Sequence, residues 1–505
     1  MAALVLNTPL AVGYATPEWA GNLSRPQDPH LASTISGPFS LLLQEKLTKY
    51  TLPHGIMRLT RPTRSRSFGL LHIAEEAQVL ELDSYGPAGT EKDKNGGETV
   101  GFSRETLDRV LSQTVIIVPC KDEELGVIRG VISAIPAPCL VILVSNCERG
   151  GVHDEYLQQV EMLRTFGGYR RQILAIHQKD IGAAAALRAS GMAELLDPTD
   201  GTVRNGKGEG MLLAIALAAT FSPERRYIGF VDADNFHGGS VNEYCRAFAA
   251  GFAMSPEAEH CMVRLRWASK PKMRGGKVDF VPEGRCSRIV NSWLNKLLVP
   301  STKHCSGTKN TDNKPFVTTG NAGEHAMTMD LALKLRMAAG YAIEPFHYID
   351  VLARGHLSAG INGPNGARTT NSANGGTKKT VQPGALQKPV RVLQIRTLNP
   401  HFHRSSDDEH IRRMWASGLG SIYHGLAPYQ AMPGSPASST ISDLRRDMHA
   451  FAVENRGIDD ATGELPRPRV YPAMEDADLN KFREVLEASV ATGSLTAFGF
   501  GQLRG

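Results

Sequence analysis

Four short apolar runs, rich in β-branched residues and separated by stretches that can form helices, constrain the fold of this chain most. The runs, between residues 114 and 235, are TVIIVPC, CLVILVSNC, RQILAIHQ and YIGFVDADN. The stretch GEGMLLAIALAATF before the fourth run predicts a helix, and VRVLQIRTL further on predicts another strand. Short buried strands that alternate with helices predict an α/β fold: a mostly parallel central sheet with helices on both faces.

Size and charge exclude some classes of protein. The chain has 505 residues, of which 41% are hydrophobic and 21% charged, values typical of a globular protein with a large core. The formal net charge of +5 is small for this length. It does not indicate nucleic-acid binding, which usually requires a strongly basic domain or stripe. This small positive charge is compatible with a pocket for phosphorylated ligands, and equally with a surplus of surface charge that has no specific role.

The sequence contains no segment expected to enter a membrane. Its longest apolar stretch, Met211–Phe221, is about half the ~20 residues that span a bilayer. The first residues lack the basic region of a secretory signal. The 7 cysteines are dispersed, which favours reduced thiols. We therefore expect a cytoplasmic protein.

Composition divides the chain into three parts. Residues 1–55 are rich in Pro, Ser, Thr and Gly and are interpreted as a loosely ordered N-terminal extension. Residues 56–427 hold the α/β pattern, with a polar, Gly-rich stretch at 361–387 that is interpreted as a surface insertion. Residues 428–505 are interpreted as a linker followed by a helical C-terminal tail.

Two carboxylates one residue apart follow the fourth apolar run. Asp232 and Asp234 stand where a strand should end, and both can approach one divalent cation that bridges a diphosphate. The alternative is a surface turn, because Asp and Asn are common turn residues. The position directly after a buried strand favours the metal site, since ligands of such sheets bind at the carboxyl ends of the strands.

Two polar segments are candidates for holding a nucleotide. The glycine-rich segment with Arg204 and Lys207 opens the apolar helix, so its backbone N–H groups and positive charges could hold phosphate. It lacks the Ser or Thr of a P-loop. The turn from Pro119 to Glu123 ends the first strand, where a base or ribose commonly binds. For both segments an ordinary helix cap or turn is the alternative.

Three further segments could hold anions or a metal. GRCSR, which contains Arg285 and Ser287, and TTGNAGEH, which contains Thr319, each precede a predicted helix. Such helix starts bind anions, although simple capping requires similar residues. His401 and His403 follow the last predicted strand and would point the same way on extended backbone. One of them could complete a metal site, and a polar surface turn is the alternative.

Taken in order, these segments resemble the mannosyl-3-phosphoglycerate synthases, which are retaining glycosyltransferases of the GT-A fold. The resemblance extends from about residue 65 to residue 425. The segments that carry it are FGLLHIAEEAQVLELDS, VIIVPCKDEE, IHQKD, GTVRNGKGEGM, YIGFVDADN, AGFAM, MVRLRW, GRCSR, TGNAGEHAM, GYAIEP and NPHFHR. The N-terminal extension, the insertion and the C-terminal tail lie outside it.

The resemblance implies transfer of mannose from GDP-mannose to the 2-hydroxyl of 3-phosphoglycerate, with a divalent metal (Mg²⁺, Mn²⁺, Co²⁺ or Zn²⁺) and no nucleic-acid partner. A homodimer is one open assembly state. Asp232, Asp234 and Lys207 would have catalytic roles. The implied donor-binding residues are Pro119, Lys121, Glu123, Arg204, Lys207, Asp232 and Ala233. The implied acceptor-binding residues are Arg285, Ser287, Thr319, Gly320 and Asn321. The implied metal ligands are Asp234 and either His401 or His403.

The resemblance leaves the route of retention open. No carboxylate stands out as a nucleophile, so a same-face route, in which the departing diphosphate takes the acceptor proton, is preferred over double displacement.

Two other functions remain as alternatives. A sugar-phosphate nucleotidyltransferase would normally carry its Gly-rich loop after the first strand, where this chain has VPCKDEE. A catalytically silent nucleotide-sugar-binding protein would not need Asp232, Asp234, Lys207 and Arg285.

Overall fold

The four apolar runs form neighbouring strands toward one side of one large sheet. The computed structural model describes residues 55–83, 89–92, 97–150, 154–166, 171–274, 276–302, 315–361, 386–402, 407–427, 436–493 and 497–499. They belong to one compact unit, Pro53–Gly505. The N-terminal extension, nearly all of the 361–387 insertion and residues 428–435 of the linker lie outside the described residues.

The elements of the described residues follow in chain order. The strands are β1 (Gly55–Thr60), β2 (Ser65–Phe68), β3 (Leu71–Ala74), β4 (Ala77–Leu82), β5 (Gly89–Lys92), β6 (Glu98–Ser103), β7 (Thr114–Cys120), β8 (Leu140–Ser145), β9 (Ile173–His177), β10 (Tyr227–Phe230), β11 (Cys261–Arg266), β12 (Lys270–Arg274), β13 (Lys277–Val281), β14 (His325–Thr328), β15 (Met337–Ala338), β16 (Val390–Arg396), β17 (Val470–Tyr471) and β18 (Ala497–Phe498). The α-helices are α1 (Arg104–Leu111), α2 (Leu125–Ala134), α3 (Glu155–Arg164), α4 (Ile181–Ala189), α5 (Lys207–Phe221), α6 (Gly238–Ala253), α7 (Arg285–Thr302), α8 (Met329–Lys334), α9 (Ile343–Ile361), α10 (Asp408–Gly425), α11 (Pro436–Glu454) and α12 (Leu479–Ala491). Short 3₁₀ helices span Ala193–Leu195, Gly340–Ala342 and Met474–Asp476.

The central sheet is mixed but mostly parallel in its middle. Its strand order is β18-β9-β8-β7-β10-β14-β11-β16-β4-β1-β6-β5, with β3 also paired to β16 and β2 to β3. The pairs β9–β8, β8–β7, β7–β10 and β11–β16 are parallel, whereas β14 is antiparallel to both of its neighbours. The predicted strands and the GT-A α/β architecture are therefore confirmed. Because β7 to β10 run parallel, their carboxyl ends lie at one edge of the sheet.

Helices cover both faces of the sheet. Alternate residues of β7 enter two different apolar cores: Ile117 packs in the core that includes α5, and Ile116 in the core that includes α6. Helix α5 is apolar on nearly all sides, and most of its residues are buried. A helix of this kind must be enclosed by other elements. It packs on β7 and β8 and against α12.

The C-terminal segment contains the predicted helices and also completes the core. Helix α12 packs against α4 and α5, and β18 extends the sheet by pairing with β9. Strand β17 pairs with β15, close to the start of α5. The expectation that this segment is only a helical tail misses these two strands, because runs of two residues give no periodic signal in the sequence.

Candidate active site

A partly buried lysine joins two carboxylates at the carboxyl end of β10. Lys207, the first residue of α5, places its Nζ 2.7 Å from Oδ1 of Asp232 and 2.9 Å from Oε1 of Glu344. Burial alone would lower the pKa of Lys207, but the two carboxylates raise it well above its usual value. The lysine therefore keeps a fixed positive charge at the end of the strand, beside the helix N-terminus.

Close contacts at this point require glycine. A Cβ on Gly323 would lie 2.6 Å from Oδ2 of Asp232 and 3.3 Å from Nζ of Lys207. Gly206, directly before α5, has a φ of 152°, and a Cβ there would lie 2.1 Å from Oε2 of Glu209. Any side chain at either position would displace a charged group, so both glycines fix the spacing of the site.

Glu324 lies fully buried between the turn after β10 and the segment after β11. Its Oε1 accepts a hydrogen bond from Nδ2 of Asn235 at 3.2 Å, and its Oε2 accepts one from Nε1 of Trp267 at 2.9 Å. Asn235 also donates to the carbonyl oxygen of Asp232 at 2.7 Å. Burial, with the nearby carboxylate of Asp232, raises the pKa of Glu324 to about 8. Glu324 thus ties the turn after β10 to the segment after β11.

His401 is packed against the same turn. Its ring stacks on Trp267 with 3.9 Å between ring centroids, and its Nδ1 lies 3.2 Å from the hydroxyl oxygen of Tyr244. The segments after β10 and β16 are joined directly, because the backbone N–H of Phe236 donates to the carbonyl oxygen of Phe402 at 3.0 Å. The segments that contain Asp234 and His401 therefore adjoin each other. His403 lies outside the described residues.

The described residues contain no group of three or more His, Cys, Asp or Glu side chains arranged to bind a metal. Asp234 and His401 lie on adjoining segments. If His401 donates its Nδ1–H to Tyr244, the lone pair of Nε2 is the one suited to a metal, as in most histidine ligands. Such a pair leaves most of an octahedral shell to phosphate and water.

The donor-side residues from the first strand lie at the same edge of the sheet. Pro119 is in β7, the parallel neighbour of β10. Glu123 accepts a hydrogen bond from the backbone N–H of Lys121, which closes a turn in which Asp122 adopts a φ of 60°. This hydrogen bond gives the turn a defined shape beside the end of β10.

The remaining donor-side candidates differ in their surroundings. Ala233 is buried, between the two aspartates. The guanidinium of Arg204 bonds within its own loop, because Nε donates to the carbonyl oxygen of Glu194 at 3.3 Å and Nη1 lies 3.7 Å from Oδ2 of Asp197. The buried Gln178 side chain donates to the carbonyl oxygens of Arg204 and Gly206, at 2.6 and 3.1 Å. In this structure the Arg204 side chain therefore bonds to residues that precede it, and the Arg204 carbonyl group is held by Gln178.

Three of the five predicted acceptor residues, Ser287, Thr319 and Asn321, line a shallow cleft beside this site. Ala322 lines the cleft, and the next residue, Gly323, packs closely against Asp232 after β10, so one wall of the cleft is joined in sequence to the lysine site. The lining residues are Leu265, Arg266, Trp267, Pro282, Glu283, Gly284, Ser287, Thr318, Thr319, Asn321 and Ala322.

Arg285 and Gly320 are placed differently from the other acceptor candidates. Arg285 starts α7 next to the cleft, but its side chain is 51% exposed and its Nη1 lies 2.9 Å from Oδ1 of the exposed Asp408. Gly320 lies between two lining residues, and its N–H donates to Oδ1 of Asn291 at 2.7 Å. The structure thus brings Ser287, Thr319 and Asn321 to one cleft and places Arg285 beside it.

A buried arginine holds the acceptor loop in position. Arg264, in β11, donates to the carbonyl oxygens of Thr319 at 2.8 Å and Gly320 at 3.4 Å. It also donates to the carbonyl oxygen of Glu344 at 3.1 Å. Its side chain is fully buried. One guanidinium therefore links the cleft wall to the start of α9, which carries the second carboxylate of the lysine site.

Sequence comparison identifies the family. The family model for mannosyl-3-phosphoglycerate synthase (osmo_MPGsynth) matches residues 61–486. This chain belongs to the mannosyl-3-phosphoglycerate synthase family. Family members are glycosyltransferases. The match extends about 60 residues beyond the C-terminal limit expected from the motifs, and it includes α11 and most of α12.

Two curated proteins of the same family are similar to this chain over most of its length. The mannosyl-3-phosphoglycerate synthase of Pyrococcus furiosus is 34% identical over 447 residues, which is 88% of this chain and 100% of that protein. The mannosyl-3-phosphoglycerate synthase of Aeropyrum pernix is 30% identical over 369 residues, 73% of this chain and 85% of that protein.

Solved structures show a more distant likeness. Glucosyl-3-phosphoglycerate synthase from Mycobacterium tuberculosis, in complex with Mn²⁺, UDP and phosphoglyceric acid, is 16% identical with a TM-score of 0.39, covering 66% of this chain and 85% of that chain. Mannosyl-3-phosphoglycerate synthase from Rubrobacter xylanophilus is 14% identical with a TM-score of 0.39, covering 66% and 82%.

Sequence reasoning assigned no role to several residues of this family member's site. Glu324 and Glu344 stand in TGNAGEHAM and GYAIEP, and Trp267 ends MVRLRW, so all three lie in segments that carry the resemblance. No spacing rule connects them, because they meet only through the sheet and the start of α9.

Among the described residues, no helix combines the length and apolar character needed to cross a membrane.

Proposed function

We propose that this enzyme transfers mannose from GDP-mannose to the 2-hydroxyl of 3-phosphoglycerate with retention, releasing GDP. The observation that carries the proposal is the placement of Lys207. This cation lies 2.7 Å from Asp232 at the carboxyl end of β10, and Gly323, which packs closely against Asp232, follows Ala322 in the wall of the cleft that contains Ser287, Thr319 and Asn321. A member of this family needs a cation for a departing diphosphate next to a pocket for a small polar acceptor.

The donor diphosphate would bind at Lys207 and the start of α5. The positive helix end and the lysine both stabilise negative charge, and they do so most when the mannosyl–phosphate bond breaks. The turn from Pro119 to Glu123, at the neighbouring strand end, would hold the guanosine. Arg204, next to the glycine-rich segment, would add positive charge at the donor site.

A divalent metal would bind between the turn after β10 and the segment after β16. Asp234 and His401 are the residues that would hold it, with Tyr244 orienting the imidazole through Nδ1. When bound, such an ion would neutralise charge on the diphosphate. An imidazole ligand favours Mn²⁺, Co²⁺ or Zn²⁺ over Mg²⁺.

The acceptor would bind in the cleft, with Ser287, Thr319 and Asn321 on its walls and Arg285 at the start of α7. A helix start with an adjacent arginine is suited to phosphate. Thr319 is fixed by Oγ1 contacts to Tyr348 at 3.1 Å and Gln394 at 3.0 Å, so the wall is preorganised.

The hydrogen bonds of the site favour the same-face route of retention. Asp232 and Glu344 both bind Lys207, and Glu324 accepts from Asn235 and Trp267. Each of these carboxylates is already held by a donor, which disfavours its use as a nucleophile in a double displacement. The acceptor proton would leave with the departing diphosphate.

The test is incubation of the protein with isotopically labelled GDP-mannose and 3-phosphoglycerate in the presence of Mn²⁺. We expect mannosyl-3-phosphoglycerate by mass spectrometry, GDP in equal amount, and an α-linked mannose by NMR. Release of pyrophosphate from GTP and mannose 1-phosphate would instead establish a nucleotidyltransferase. Binding of GDP-mannose without turnover of any acceptor would establish a silent binding protein.

A further inference from the structure

The loop that forms one wall of the acceptor cleft is held by side chains from the core. Three of its residues, Thr319, Asn321 and Ala322, line the cleft. Arg264 donates to the carbonyl oxygens of Thr319 and Gly320, at 2.8 and 3.4 Å. The first half of the loop is therefore fixed by a buried guanidinium.

His325 holds the second half of the same loop. Its Nδ1 lies 3.2 Å from the carbonyl oxygen of Ala322 and 3.0 Å from that of Gly323. A carbonyl oxygen can only accept a hydrogen bond, so Nδ1 carries the proton and donates to both oxygens. Burial and the nearby charge of Arg264 hold the pKa of His325 well below its usual value, so the ring is neutral and Nδ1–H is its one N–H group.

Arg264 and His325 act from the same face of the sheet. They stand directly opposite each other in the antiparallel pair β11–β14, and opposed residues of such a pair project to one face. His347, in α9, adjoins both: its Nδ1 accepts from Nη1 of Arg264 at 3.4 Å, and its ring centroid lies 5.2 Å from that of His325. Two opposed donors therefore bind four of the five carbonyl groups of residues 319–323.

The direction of these carbonyl groups matters for an anionic acceptor. Within a trans peptide the C=O and N–H groups point in opposite directions, so the N–H groups that follow the four bound carbonyls point away from the two donors. A carbonyl oxygen turned into the cleft would place partial negative charge beside the phosphate and the carboxylate of 3-phosphoglycerate. The hydrogen bonds to the core prevent the bound carbonyl groups from turning in this way.

We propose that His325 is a positioning residue for acceptor binding. Together with Arg264 it keeps the carbonyl oxygens of the loop turned toward the core, so that the cleft wall formed by Asn321 and Ala322 accepts an anion. His325 acts through the backbone of Ala322 and Gly323 and does not itself contact the acceptor. This inference rests on the proposed transfer to 3-phosphoglycerate.

The experiment asks whether a donor at the position of Nδ1 is what the acceptor site needs. The kcat, the KM for 3-phosphoglycerate and the Kd of GDP with Mn²⁺ are measured for wild type, His325→Asn and His325→Gln. The amide N–H of asparagine can replace Nδ1–H, whereas that of glutamine reaches the position of Nε2. We expect His325→Gln to raise the KM about tenfold, the effect of leaving two buried acceptors without their donor, and His325→Asn to stay within about threefold of wild type.

The Kd of GDP should be unchanged in both variants, because the ion pairs of Lys207 with Asp232 and Glu344 do not involve His325. The kcat should change less than the KM. If the glutamine variant does not fold, His325→Ala takes its place, and the same rise in the KM is expected.

A second buried histidine provides the control for a loss of stability. The Nε2 of His260 lies 2.8 Å from Oδ2 of Asp330, and His260 precedes β11, at the opposite end of that strand from Arg266 in the cleft wall. His260→Asn should lower the thermal midpoint and leave the KM for 3-phosphoglycerate unchanged.

Three results would contradict the proposal or its basis. A lower thermal midpoint with an unchanged KM in His325→Gln would show that His325 only stabilises the fold. An equal rise in the KM in His325→Asn and His325→Gln would overturn the role of the Nδ1–H donor. Absence of transfer by the wild type would refute the proposed function itself.

Discussion

The donor side and the acceptor side of the site are built in opposite ways. On the proposed donor side, Lys207 is partly buried and Glu344 is buried, with side-chain exposures of 14% and 6%, and each lies at the start of a helix. On the acceptor side, Arg285 and its partner Asp408 are 51% and 84% exposed. The lysine of the proposed donor side is therefore held by the core, whereas the arginine beside the acceptor cleft is a side chain that water also reaches.

The difference has an energetic consequence. Removing one partner of a buried ion pair leaves an uncompensated charge and costs about 3–5 kcal/mol, whereas an exposed pair contributes about 0–1 kcal/mol. Substitutions on the donor side should therefore lower both stability and catalysis. Substitutions on the acceptor side should affect binding of one substrate and leave the fold unchanged.

The largest effect should follow loss of the metal. We expect a chelator to abolish transfer and several divalent ions to restore it. His401→Ala should lower kcat by 100-fold or more, since such an ion stabilises transition-state charge by about several kcal/mol. It should also change the order of metal preference.

His403→Ala is the matched control for the histidine substitution. If His401 is the ligand, the control variant should keep the metal preference of the wild type. Full activity and unchanged metal dependence in a His401→Ala/His403→Ala double variant would remove histidine from the metal site.

The next effect should come from the partly buried lysine. Lys207→Met should lower kcat by about 10²–10³-fold, because a preorganised group that stabilises developing charge is lost. It should also lower the thermal midpoint, since Asp232 and Glu344 would repel each other without the cation.

A double variant separates the two effects of that substitution. Lys207→Met/Glu344→Gln should regain thermal stability, because one buried charge is removed with the lysine. It should not regain activity. Recovery of activity together with stability would show that Lys207 is a structural residue only.

An intermediate effect should follow substitution of the exposed arginine. Arg285→Ala should raise the KM for 3-phosphoglycerate by roughly 10- to 150-fold, the equivalent of about 1.5–3 kcal/mol, while the thermal midpoint stays near that of wild type. Asp408→Asn, which removes the surface partner, should change the KM far less. Equal changes in KM for both substrates would contradict an acceptor role.

The smallest effect should come from the C-terminal segment. The hydroxyl of Tyr471 in β17 donates to Oε1 of the buried Glu209 at 2.7 Å, next to Gly206. Tyr471→Phe should cost about 1–3 kcal/mol of stability, because a buried carboxylate loses a donor. The KM for GDP-mannose should rise a few-fold. Tyr341→Phe, at a residue that is 39% exposed, is the control and should change neither quantity.

Local pattern was sufficient to predict the strands and the edge at which the site forms. Buried strands give continuous apolar runs, and Asp232 and His401 lie in the segments that follow β10 and β16. Pattern could not predict that Glu344 and Lys207, 137 residues apart, share one ion pair, since that contact depends on how α9 packs against the sheet. Nor could it predict that Arg204 bonds within its own loop, because a positive charge beside glycines indicates a phosphate site equally well.

Binding of GDP in the presence of Mn²⁺, measured by calorimetry for Lys207→Met and Arg285→Ala, tests most directly whether the site consists of two separate sides. Our account predicts that Lys207→Met binds GDP much more weakly than the wild type, whereas Arg285→Ala keeps the wild-type Kd. Equal losses in the two variants, or an unchanged Kd in Lys207→Met, would contradict it.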